Sequence, residues 1–401
     1  MQQLQLSAAA WGRIASAGSA SVSLGLLAVA VVVGRAGTRR LGSAALACLG
    51  GVLVLLCAVR LELFVLLLGL SLVCRDAAYV CCNSMCQCVH GTGGNDADRA
   101  ARLNRSNMWY RIATNSAAIV APVLITQATV ALGAPPDEGA DEGAVGKQPY
   151  GLVVGVAGVG ITLAGALLRN YPPSLGTEPA PASAAATKPA AGSGGSGGLV
   201  ADLSSCWAQF AAPFADRPGL LRFVCITTAY EAFSFMGAMQ FGVYRLVTDL
   251  KITSSTFGWL CSASAVCGLA VIALVAKLST LAGVQPTLVG LYGSQSAMLL
   301  VIGLTDSQEL SVAAFFIWRV LDRSRWAPYS VWTSSLTGGG ANDKTAMFAM
   351  QKVMRAAPSA LVQVFVLAPV AEGLGLRPLF SLCAVCAAGA TYLLARLPPP
   401  Q

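Results

Sequence analysis

Thr92-Gly93-Gly94 through Asp98-Arg99-Ala100-Ala101 returns late in the chain as Thr337-Gly338-Gly339 through Asp343-Lys344-Thr345-Ala346, 245 residues further on. Each copy follows a long apolar segment with an arginine in its interior, Arg75 in one and Arg319 in the other. Each precedes a second apolar segment that opens with an arginine, Arg111 or Arg355. The pattern is a duplicated unit of helix, basic loop and helix, which predicts a chain built from two related halves.

Composition places those halves in a membrane. Hydrophobic residues make up 55% of the 401 and charged residues only 11%, about half the charged share of an ordinary soluble domain. The apolar residues fall in blocks long enough to cross a bilayer. The net charge of +8 comes from lysines and arginines placed between those blocks, with no aromatic-interleaved basic patch, so nucleic acid is not an expected partner. Thirteen cysteines lie largely within apolar segments, where a thiol behaves as a small hydrophobe, and they form no disulfide framework. A single histidine, with no phosphate-binding loop, catalytic triad or dinucleotide fingerprint, leaves no basis for an enzyme.

Hydropathy predicts five blocks in the first half, at about 16–34, 41–59, 63–88, 107–132 and 150–168. Six follow, at about 220–247, 256–275, 287–304, 310–336, 353–370 and 378–394. Between them the stretch 171–216 turns to Pro, Ala, Ser and Gly, with an unbroken glycine-serine run at 192–198, and reads as a flexible linker. Within it Trp207, Phe210 and Phe214 share one helical face suited to a membrane surface. The domain division is therefore 1–170, linker 171–216 and 217–401. Arg35, Arg39 and Arg40, then Arg99, Arg102, Arg105, Arg169, Arg217, Lys277, Lys344, Lys352 and Arg396, fall on one side of the membrane. Chiefly Arg60, Lys147, Arg245, Lys251 and Arg377 fall on the other. The positive-inside rule makes the first side cytoplasmic and puts the acidic segment Asp137–Glu142 outside.

The hairpin Gly34-Arg35-Ala36-Gly37-Thr38-Arg39-Arg40 resembles the loop between helices 2 and 3 of the major facilitator superfamily, with Arg35, Gly37, Arg39 and Arg40 matching and Gly34 standing where the family carries an aspartate. The resemblance implies an all-α polytopic protein of two pseudo-symmetric helical bundles with about 11 transmembrane helices, the family's first helix being absent from the count. It implies gating loops at Arg35, Gly37, Arg39 and Arg40, at Asp98 and Arg99, and at Asp343 and Lys344. Residues 117–122 keep Pro122 but have alanines where antiporters carry glycines, which favours symport or uniport.

Charged side chains inside spanning helices cost about 2.5 to 3.5 kcal/mol each and usually face a cavity or a partner. Arg75 and Asp76, Glu231 beside Tyr230, and Arg319, Asp322, Arg323 and Arg325 occupy such places. By order they fall on family helices 4, 7 and 10, which line the central cavity in the resemblance. Arg75, Asp76, Tyr230, Arg319, Asp322 and Arg323 are the expected substrate-binding residues, and Glu231 the expected proton-coupling group. Arg75 and Arg319 are expected to meet one anionic solute. Purely structural pairing of Asp322 with Arg319 or Arg325, three residues away on either side, is the competing reading. Cys81, Cys82, Cys86, Cys88 and His90 match no compact metal spacing, and neither metal nor cofactor is expected. The expected function is secondary active or facilitative transport of a small anionic solute by alternating access, with the bilayer and a coupling proton as the other partners. The alternative is a transport-inactive receptor or scaffold of the same fold. Either way the protein is an integral, multi-pass membrane protein.

Overall fold

Gly37 alone separates the first two helices. α1 spans Ala8–Ala36 and α2 spans Thr38–Leu56, and the glycine between them has φ +79°, a left-handed conformation that side-chain-bearing residues seldom adopt. The expected basic hairpin is thus a one-residue joint, with Arg39 and Arg40 already in the first turn of α2. The computed structural model describes residues 8–56, 61–90, 149–170, 204, 207–208, 218–336 and 341–397. Asp98, Arg99, the expected block 107–132, the acidic segment and the glycine-serine run lie outside the described residues.

α3 (Leu61–His90) carries Arg75, Asp76 and the cysteine run. α4 (Pro149–Arg169) opens on a proline, whose missing N–H costs nothing in a first turn, and closes on an arginine placed against the negative helix end. In the second half, α5 runs as Pro218–Met236, a π-helical turn at Gly237–Gly242, and Val243–Thr248. α6 (Ser254–Leu281) is capped by Thr253, whose hydroxyl accepts from the Thr256 N–H at 3.2 Å. α7 is Val284–Leu304 and α8 is Gln308–Leu336. α9 runs as Ala341–Val362, a second π-helical turn at Gln363–Leu367, and Ala368–Gly373. α10 is Leu376–Ala395. Six of these helices contain windows long and apolar enough to cross a membrane.

α9 departs most from expectation. It begins at Ala341, not near residue 353, so Asp343 and Lys344 lie in its first turn and Lys352 lies well inside it. A carboxylate is favourable at a helix start, so the residues expected in a gating loop are compatible with helix.

Packing follows the small residues. α2 lies against α4 where Gly50 and Gly158 meet: a β-carbon on Gly50 would come within 2.4 Å of the Gly158 carbonyl oxygen. Such backbone approach is how helices associate where lipid supplies no hydrophobic driving force. In the second half α7 packs on α8 and α10, and α6 on α8. Arg245, expected at the outer end of the block 220–247, is buried at the end of α5 and donates to the carbonyls of Ile302, Gly303 and Thr305, which closes the C-terminal end of α7. The halves meet chiefly where α1 runs antiparallel to α9. Arg13 pairs with Glu372 at one end, the Ser16 hydroxyl reaches the Ala360 carbonyl and Gln363 further in, and Thr38 meets Thr345 at the other end.

Candidate functional site

Four helices bring ionisable groups together at the junction of the halves. Glu231 on α5 is buried and is shared by two arginines: Arg325 Nη1 from α8 at 3.2 Å and Arg355 Nη1 from α9 at 3.1 Å, both to Oε1. Arg325 also donates from Nε to Asp322 at 2.7 Å. One turn away on α9, Lys352 pairs with Asp76 of α3 at 2.8 Å, and Arg75 approaches the same carboxylate at 3.5 Å. The Asp76–Lys352 pair crosses from the first half to the second.

Aromatic rings frame the cations. Arg325 lies 4.9 Å from the Trp326 centroid and 5.8 Å from those of Tyr230 and Tyr292. Arg355 lies 4.0 Å from the Tyr329 centroid and 5.1 Å from that of Trp326, and the Lys352 ammonium sits 4.3 Å over Tyr79 of α3. These are cation–π distances, and burial strengthens the attraction. Tyr230 and Tyr292 stack with centroids 3.8 Å apart. The Tyr230 hydroxyl donates to Gln295 at 2.9 Å and accepts from Ser234, which in turn accepts from the Trp318 indole. This relay joins α5, α7 and α8 and fixes the helix face that carries Glu231.

The expected site residues divide among different environments. Glu231, Asp322 and Asp76 take part in the charge network. Tyr230 is fully buried, and its hydroxyl is committed to Ser234 and Gln295. Arg319 donates from Nη1 to the Met239 sulfur at 3.5 Å, and its buried Nε has no hydrogen-bond partner. The side chain of Arg323 packs against Gly268 of α6. Arg75 has an exposed side chain and Asp76 as its partner, so the two arginines expected to share a solute have different neighbours. Asp322 pairs with Arg325, the second of its two candidate partners. Of the cysteine run, Cys81 is buried and Cys82 partly so; no metal-ligating group of three is found among the described residues.

The residues that sequence reasoning did not assign to the site are Arg325 on α8, and Lys352, Arg355 and Gln351 on the N-terminal half of α9. Arg355 is 7% exposed, yet its Nε and Nη2 have no hydrogen-bond partner, and neither does the buried amide nitrogen of Gln351. The repeat did offer a signal, because Arg355 is the counterpart of Arg111.

No family model and no curated protein sequence matches the chain. Solved structures do. The crystal structure of the human organic anion transporter MFSD10 (TETRAN) matches 96% of this chain over 83% of its own, with TM-score 0.68 and 14% identity. The Escherichia coli fucose:proton symporter FucP matches 97% of this chain over 91% of its own, with TM-score 0.60 and 15% identity. A structure of the major facilitator transporter FucP in the outward conformation matches 100% of this chain over 92% of its own, with TM-score 0.63. The fold is that of the major facilitator superfamily transporters, and the protein is an integral, multi-pass membrane protein.

Proposed function

We propose that this protein is a secondary transporter that moves a small anionic solute across its membrane by alternating access. One observation carries the reading: a single buried carboxylate, Glu231, is shared by two buried arginines from different helices, beside an ion pair that joins the two halves. Of the two, Arg355 has unused hydrogen-bonding capacity, and an anion supplies what is missing. The similar structures agree in kind, one being that of an organic anion transporter and another that of a proton symporter.

The geometry supports a coupling scheme. A solute anion that reaches Arg355 competes with Glu231 for its guanidinium, and a proton competes with both arginines for Glu231. Loading solute therefore weakens the hold of Arg355 on Glu231 and favours a proton there, and unloading restores the pairing. Opening toward either side requires the Asp76–Lys352 contact or the α1–α9 seam to part, so the occupancy of the cluster and the separation of the halves are linked.

Purified full-length protein in liposomes tests this directly. Saturable uptake is expected of at least one anion among labelled benzoate, lactate, succinate, phosphate and sulfate, stimulated by an inward proton gradient. Labelled fucose and choline serve as neutral and cationic comparisons. Uptake of fucose or choline with none of any anion overturns the reading.

A further inference from the structure

We infer that Arg355 and Gln351 form the anion-binding subsite and that its ligand is a monocarboxylate. The inference rests on the transport reading above and gives it a place and a ligand class.

A guanidinium has two edges on which paired N–H groups lie parallel, and a carboxylate docks on such an edge through both oxygens. In Arg355 the pairing with Glu231 is made by Nη1. The unpartnered atoms are Nε and Nη2, the two that share the other edge. What is left over is therefore a whole side-on fork. Buried donors without acceptors are costly, and a native protein seldom leaves a pair of them on one side chain without a reason. The face of the guanidinium is covered, with Tyr329 at 4.0 Å, so a ligand must approach in the plane of the group. Gln351 stands four residues earlier on α9, on the same helical face, and its own buried amide nitrogen has no partner. Three buried donor nitrogens without a partner thus lie on one face of α9.

Charge selects a monoanion. Two ion-paired groups lie one turn of α9 apart: Arg325 and Arg355 balance Glu231 and Asp322, while Arg75 and Lys352 exceed Asp76 by one positive charge, so the pair of groups together carries a surplus of one. One negative charge neutralises the surplus. A dianion overshoots it beside Glu231, at the desolvation cost of a second buried charge. A planar two-oxygen group with one charge is a carboxylate, and a monocarboxylate meets both conditions better than phosphate.

The test is the thermal stability of the purified full-length protein in detergent, titrated with benzoate, lactate, inorganic phosphate and sulfate. Benzoate or lactate is expected to raise the melting temperature of the wild type saturably, with phosphate and sulfate much weaker. Arg355→Lys keeps the charge beside Glu231 but has no fork, and Gln351→Leu removes the third donor. Each is expected to weaken the apparent carboxylate affinity by roughly tenfold or more, the effect of losing a charge-assisted hydrogen bond. Gln351→Glu tests the same point without depending on Arg355 variants that fold. Its carboxylate, four residues before the arginine, is expected to occupy the fork, raise the melting temperature without ligand and abolish the response. A carboxylate response unchanged in all three variants overturns the subsite while leaving anion transport standing. Stabilisation by phosphate or sulfate alone overturns the ligand class, and the absence of any anion effect on the wild type, together with no anion uptake in liposomes, overturns the transport reading itself.

Discussion

Glu231 is the residue on which the buried charges depend. Arg325 has Asp322 as a second acceptor, but Arg355 has only Glu231 as a charged partner among the described residues. Removing one member of a buried pair strands the other and typically costs about 3 to 5 kcal/mol, much more than the pair itself contributes. Glu231→Gln is therefore expected to lose stability on that scale. Asp322→Asn, which leaves Arg325 its bond to Glu231, is expected to lose clearly less. Thermal unfolding of the two variants in one detergent checks the order, and equal losses would mean that Arg355 has another acceptor. At this scale the sequence showed the anions better than the cations. Glu231, Asp76 and Asp322 stand out because each interrupts an apolar run. Lys352 follows Asp343 and Lys344 in a polar stretch, where hydropathy reads it as the end of a loop, and Arg355 reads only as the opening of the apolar block that follows.

Among the elements, the α2–α4 pair shows how closely glycine lets two helices approach. A β-carbon at Gly50 would lie 2.1 Å from the Thr162 hydroxyl and 2.4 Å from a backbone carbonyl, whereas one at Gly51 meets nothing. Gly50→Val is expected to force the helices apart at a cost of about 1 to 3 kcal/mol or more, the usual penalty of overpacking. Gly51→Ala is expected to be neutral or slightly stabilising, since alanine is the better helix former. Comparing the melting temperatures of the two variants decides the matter, and a harmless Gly50→Val would mean that the pair does not pack as described. Most helix ends were readable beforehand: α7 and α10 begin and end within a few residues of the apolar blocks, because lipid demands continuous apolar length. α9 was misread by a dozen residues at its start because its N-terminal half lines the charged junction and carries Gln351, Lys352 and Arg355. The same requirement that placed the site there removed the signal by which helices in lipid are recognised. The π turns were also invisible to periodicity. They are tied to each other, with Gln363 donating to Gln240 at 2.8 Å, and turns of this kind are frequent at functional sites.

If the protein transports as proposed, its halves must part. α1 and α9 touch at Arg13–Glu372, at Ser16–Gln363 and at Thr38–Thr345, contacts spread along the length of both helices. A protein that exposes its centre alternately to the two sides cannot keep both ends of this seam closed throughout its cycle, so one of the terminal contacts must open in each state. Thr38 and Thr345 offer the cleaner test. Their hydroxyls are 3.0 Å apart, which puts the two β-carbons near the separation a disulfide spans. Arg13 and Glu372 are exposed, and an ion pair between exposed groups contributes little. Thr38→Cys with Thr345→Cys, in a background free of the thirteen native cysteines, is expected to cross-link on oxidation and to hold that end shut. Uptake into liposomes should then fall to background and return on reduction, while either single variant transports normally in both conditions. Undiminished uptake by the fully cross-linked protein would show that this end of the seam never opens, and the motion would have to lie elsewhere than between α1 and α9.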